Sequence, residues 1–224
     1  MTDFNAETQE TEINVLFDDS ADEIFRETLL NDFIDGINHG ICVSNLTYLI
    51  AKKMDLDEIT CHDLSLAGLL HDVGKLRLSR YLYGRAQNKF AMEEIKYMRM
   101  HSKISYDILQ YYDFSPFILQ TVLYHHENYD GTGYPENLKG EDIPFGARIM
   151  RVADTFTALI SDRPYRKAFD VDTAMEIMID EITNYDMEAF LAFQKVIHEE
   201  STLELIKSSN LLIDADDILT LLEK

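Results

Sequence analysis

Apolar side chains recur three and four positions apart through most of this chain. Alternating runs of β-branched residues between paired turns, the mark of strands, do not occur. The pattern predicts an all-α fold: a helical bundle, with a metal site in its core, followed by a C-terminal helical extension. Helices are expected over about 21–35, about 38–54 and from about 58 into His71-Asp72, with Asp57 or Thr60 as cap and Gly74 as the stop. Further helices are expected over 91–111, bent near His101, and over 115–126, where Ser115 is the cap and Pro116 the first helical residue. Residues 144–161 form another that stops before Pro164, and amphipathic helices fill 171–183, 186–199 and 213–223.

Two stretches break the helical pattern. Residues 76–89 scatter tyrosines and basic side chains without periodicity and read as a loop with a short helical turn. Residues 127–142 are rich in Gly, Pro, Asn and Asp, and a loop of that length in a compact domain is usually functional. Residues 1–20 read as an acidic tail, 21–200 as one domain and 201–224 as the extension, with no internal repeat or Gly/Ser linker.

Charge narrows the ligands. The 224 residues carry 41 acidic and 20 basic side chains, a formal charge of -21, which should repel nucleic-acid polymers and anionic membrane surfaces. The N-terminus lacks a basic start followed by an apolar run, so no signal peptide is expected. The two cysteines, Cys42 and Cys61, sit in apolar segments without metal-ligand spacing and read as buried thiols. A soluble cytoplasmic protein is the expectation.

The candidate chemistry lies in the histidines. His39, His71, His101, His125 and His126 fall near predicted helix ends, mostly about thirty residues apart, a spacing that returns successive helix ends to one level of a bundle. A single histidine is most often an imidazole bonded to a backbone carbonyl, and His62 and His198 are read that way. Five together with Asp72 and Asp154 point instead to a metal cluster, in which Asp72 can bridge two cations. Asp35, one helical turn before His39, either binds a third metal or orients His39.

His71-Asp72-Val73-Gly74-Lys75 resembles the signature of the HD phosphohydrolase superfamily. The run from His125 to Pro135, HHENYDGTGYP, resembles the motif of its HD-GYP branch. The resemblance extends from about 36 to 169 through Ile143-Pro144, Val152-Ala153-Asp154 and Ser161 to Arg166. It implies an all-helical, metal-dependent hydrolase of cyclic di-GMP, yielding linear pGpG or GMP. It implies metal ligands at His39, His71, Asp72, His101, His125, His126 and Asp154, with two or three divalent ions, iron or manganese, held there. Asp72 and Lys75 are then the catalytic residues, Lys75 contacting the scissile phosphate, while Tyr134, Arg163 and Arg166 hold the dinucleotide. Arg163 and Arg166 offer the planar forks that an anionic ligand needs in so acidic a chain.

The sequence departs from the family pattern in two places. Asp35 stands where glutamate is common, which bears on a third metal, and Leu78 to Arg85 replaces a usual proline-rich stretch, which bears on the lid. The roughly 35 leading residues are too few for a receiver domain. By family analogy a diguanylate cyclase could dock on the GYP loop, and the chain could form a homodimer. The expected reaction is attack on phosphorus by a metal-activated hydroxide. The alternatives are a phosphodiesterase for another cyclic dinucleotide such as cyclic GMP-AMP, and a silent dinucleotide receptor or cyclase-docking module.

Overall fold

The apolar stripe that enters the bundle near Ile34 runs on through Val43, Leu46 and Ile50, all buried. The computed structural model, which describes residues 23–77, 98–162 and 166–209, carries helix α1 over Glu23–Lys53 without a break. The two helices expected over 21–35 and 38–54 are therefore one. A glycine inside a helix costs about 1 kcal/mol relative to alanine. Burial of a single large aliphatic side chain contributes about 1.5–3 kcal/mol, so the packed stripe carries the helix through Gly36.

Helix α2 spans Glu58–Leu70, and the Asp57 side chain caps it by accepting from the Thr60 amide at 3.0 Å. It crosses α1 at close range. A Cβ on Gly40 would lie 2.8 Å from the Leu69 carbonyl oxygen, and one on Gly68 2.8 Å from the Ser44 Cα. Ser44 and Ser65 share a 2.8 Å hydroxyl contact at this crossing, and Thr47 Oγ1 donates to the Leu64 carbonyl at 3.2 Å. The crossing sets His39 beside His71, with ring centroids 5.3 Å apart.

Gly74 is not the stop that the sequence suggests. Helix α2 ends at Leu70 with His71 as its C-cap, and helical geometry resumes over 73–77. Gly74 is needed for a close approach instead. Its missing Cβ would meet the His101 carbonyl and lie 2.7 Å from the Ser105 amide, while its own N–H donates to Ser105 Oγ at 2.9 Å.

The bundle continues with α3 (His101–Leu109), α4 (Pro116–Tyr124), α5 (Phe145–Leu159), α6 (Val171–Asp180), α7 (Met187–Ile197) and α8 (Glu200–Ser209). Ser115 caps α4 with Pro116 first, as expected, and Asp170 and Asp186 cap α6 and α7. Helix α1 packs on α2, α5, α7 and α8, and α4 bridges α2, α3 and α5. Phe156, Phe190 and Phe193 close the far end of the core, with ring centroids 5.0 to 6.0 Å apart along the series.

No β-strand occurs among the described residues, so the fold is an all-α bundle. Helix α8 falls where the periodicity predicts none, and the expected helix over 213–223 lies outside the described residues, as do the tail, the stretch 78–97 and Arg163. Cys42 and Cys61 are free and buried. No described helix is long and apolar enough to cross a membrane.

Candidate metal centre

Three of the five histidines are placed by one local device. His71 and His125 are the C-caps of α2 and α4, and His101 opens α3. In each ring Nδ1 meets the backbone carbonyl three residues earlier: Gly68 at 2.7 Å, Val122 at 2.6 Å, and Met98. A carbonyl can only accept, so Nδ1 carries a proton in each ring and Nε2 is the atom turned to the site.

Two of those atoms face each other. His101 Nε2 lies 3.2 Å from His125 Nε2 and 3.0 Å from His126 Nε2. Burial holds His101 below the usual imidazole range, and burial with neighbouring imidazoles holds His125 and His126 well below it. With Nδ1 protonated on both, the neutral His101 and His125 rings present lone pairs to each other, and these repel unless a cation sits between them. About 3 Å is also the spacing of adjacent nitrogens on one ion with bonds of about 2.1 Å.

A second group converges on the other side of Asp72. His39 Nε2 lies 3.0 Å from Asp154 Oδ1 and 3.8 Å from Asp72 Oδ2, while His71 Nε2 lies 3.2 Å from Asp72 Oδ2 and 3.6 Å from Asp154 Oδ1. The other oxygen of Asp72, Oδ1, lies 3.2 Å from His101 Nε2. One carboxylate thus faces both groups. His71 Nε2, Asp72 Oδ1 and His39 Nδ1 are buried without a hydrogen-bond partner. This donor set of imidazoles and carboxylates fits divalent metal ions.

The electrostatics express the same demand for positive charge. Burial opposes a charged His71, but Asp72 and Asp154 outweigh it and push the ring up to about 10. Burial opposes both carboxylates as well, yet His71 with Lys75 holds Asp72 far below its usual range, and His39 with His71 does so for Asp154. Lys75 Nζ lies 2.5 Å from Asp72 Oδ2 and is one-third exposed, placing its ammonium at the mouth.

The loop from 127 to 142 walls the site. Tyr134 stacks on His126 with centroids 4.7 Å apart, and its amide donates to the His126 carbonyl at 3.1 Å. Burial raises the Tyr134 phenol, so it is a hydrogen-bond donor at neutral pH. The buried Glu127 carboxylate accepts from the amides of Glu136 at 2.6 Å and Leu138 at 3.0 Å. Arg151 Nε donates to Asn128 Oδ1 at 2.9 Å, tying the loop to α5. Sequence reasoning assigned nothing to Glu127 or Arg151. A carboxylate directly after a ligand pair and at the head of a Gly-rich loop was the available signal for the first.

Not every predicted site residue joins the cluster. Asp35 is exposed on α1 and does not converge with the two groups among the described residues. Arg166 donates to the carbonyls of Ala158 at 2.9 Å, Leu159 at 3.0 Å and Lys167 at 2.6 Å, and lies over the Phe169 ring. Its guanidinium closes the C-terminal end of α5. His62 is exposed beside Glu58, and His198 is exposed at the end of α7.

A family profile described as "HD domain" matches residues 11–189. The chain is 37% identical over 135 residues to the cyclic di-GMP phosphodiesterase response regulator RpfG of Xanthomonas campestris, covering 59% of this chain and 35% of that protein. It is 36% identical over 163 residues to the 3'3'-cGAMP-specific phosphodiesterase 3 of Vibrio cholerae, covering 71% of this chain and 35% of the relative. The chain thus spans about a third of the length of these curated relatives. An HDGYP protein from Bdellovibrio bacteriovorus shares the fold with a TM-score of 0.58 at 17% identity, over 86% of this chain and 70% of that one. With the HD dipeptide between the two histidine groups and the HHENYDGTGYP loop walling the centre, the chain belongs to the HD-domain family, in its HD-GYP branch.

Proposed function

We propose that this chain is a metal-dependent phosphodiesterase that hydrolyses cyclic di-GMP to pGpG or GMP. The observation that carries the reading is Asp72, one carboxylate whose two oxygens face two converging histidine groups. The names of the relatives support the substrate class, since they act on cyclic dinucleotides.

His39, His71, Asp154 and one oxygen of Asp72 would hold one divalent ion, and His101, His125, His126 and the other oxygen a second. Iron or manganese suits this set. Bound ions supply Lewis-acid polarisation of phosphate and a water acidified enough to attack at neutral pH. Lys75 offers its ammonium to charge that builds on the phosphate. Tyr134 presents a protonated phenol at the same mouth. Arg166 would act on the dinucleotide through the segment it holds, and Arg163 would contact it directly. Asp35, one helical turn before His39, would hold a third ion or orient His39.

On the resemblance alone rest a cyclase docked at the GYP loop and a homodimer, which cross-linking and sizing would test. The cytoplasmic setting is a proposal, in keeping with two free, buried cysteines. The decisive test replaces Asp72 with Asn, which keeps shape and removes the bridging charge. Metal content and cyclic di-GMP turnover should fall together, by at least about 100-fold in rate. A variant without metal that retains turnover would refute the reading. Side-by-side turnover of cyclic di-GMP and cyclic GMP-AMP assigns the base preference.

A further inference from the structure

The cations around the centre are mostly engaged. Lys75 is paired with Asp72, Arg151 with Asn128, Arg148 with Asp186 at 2.5 Å, and Arg166 with three carbonyls. Arg99 differs. It is exposed in the turn that leads into α3, and its guanidinium carbon lies 5.4 Å from the centroid of the Tyr134 ring. Among the described residues no hydrogen bond or ion pair engages it.

The order outward from the metal ligands is therefore His126, then Tyr134 stacked 4.7 Å away, then Arg99 against Tyr134. The aromatic face holds the guanidinium by cation–π attraction, and Arg99 itself is exposed beside the site, so its N–H groups are available to a ligand. In a chain of net charge -21, an exposed and unpaired arginine beside the catalytic centre marks a place for an anion. A cyclic dinucleotide carries two phosphodiesters in one macrocycle. When the scissile one meets the His/Asp cluster, the other must lie a ribose away.

We infer that Arg99 is a substrate-binding residue that holds the second, uncleaved phosphodiester of a cyclic dinucleotide. The inference rests on the proposed phosphodiesterase activity. It distinguishes cyclic dinucleotides from simple phosphodiesters by charge count, independently of the bases.

The test compares metal-loaded wild type, Arg99→Ala and Arg99→Lys on cyclic di-GMP and on bis(p-nitrophenyl) phosphate, which has one phosphodiester and no second charge. Losing one charge-assisted contact should raise KM for cyclic di-GMP roughly tenfold, with kcat changed far less, because the group is remote from the scissile bond. The loss for cyclic di-GMP should exceed that for the simple diester by a similar factor. Lysine should restore part of the affinity, and metal content should match wild type in all three proteins. An unchanged KM for cyclic di-GMP, an equal loss on both substrates, or loss of metal in Arg99→Ala would overturn the role of Arg99 alone. Wild type that cleaves the simple diester but no cyclic dinucleotide would instead overturn the functional reading, and this role with it.

Discussion

At the residue scale the site turns on where single protons and single oxygens are placed. Glu127 shows this outside the ligand set. Its buried carboxylate receives two loop amides, and removing it leaves both donors without their acceptor at about 1–3 kcal/mol each. Glu127→Ala should lower stability by about 2 kcal/mol in denaturant unfolding and raise KM, because Tyr134 rides on the released loop. Unchanged stability would mean that the loop is held by other bonds. The histidines were legible in the sequence because imidazole and carboxylate side chains are rare enough for five and two of them to form a pattern. Arg99 was not, since a charged side chain two residues from a ligand has no period to betray it, and Glu127 offered only its place directly after the ligand pair. The Arg166 guanidinium was legible as a cation, but not as one that folds back on the end of α5.

At the scale of elements, the crossing of α1 and α2 is where packing and chemistry meet. Gly68 lies against the Ser44 backbone, and its carbonyl orients His71. Gly68→Ala should cost about 1–3 kcal/mol through overpacking and should also reduce metal retention on dialysis, because α2 must back away and carry His71 with it. Destabilisation with unaltered metal affinity would show that the two are separable. Caps and first-turn prolines were readable because they act locally: Asp57, Ser115 and Pro116 stand where the sequence places them. Gly74 misled for the opposite reason. Its local preference is to break a helix, whereas His101 and Ser105, distant in sequence, decide what happens there.

At the scale of the whole molecule, the buried charges set how stability follows pH. Without metal, His71 keeps its proton in the folded state up to about 10, against 6.5 as its ordinary value, so between those values the native state holds more protons than the unfolded one. That contribution is complete below 6.5 and is lost as pH rises toward 10. His39, His101, His125 and His126 are shifted down, so protonating the unfolded chain below 6.5 also costs stability. Chelator-treated protein should melt highest near neutrality and lower on both sides. Metal-loaded protein should hold its melting temperature across the alkaline side, where the ions replace the proton. A flat alkaline profile after chelation would contradict the charge placement. The three carbonyl-bound imidazoles carry a further consequence. Since His71 and His125 terminate their helices with the same ring that serves the centre, a residue inserted into α2 or α4 cannot be absorbed by letting the helix run one position longer. The length of these two helices is therefore fixed by chemistry rather than by folding, and insertions in this chain will be tolerated between its ligands only where neither end of a segment is a stop.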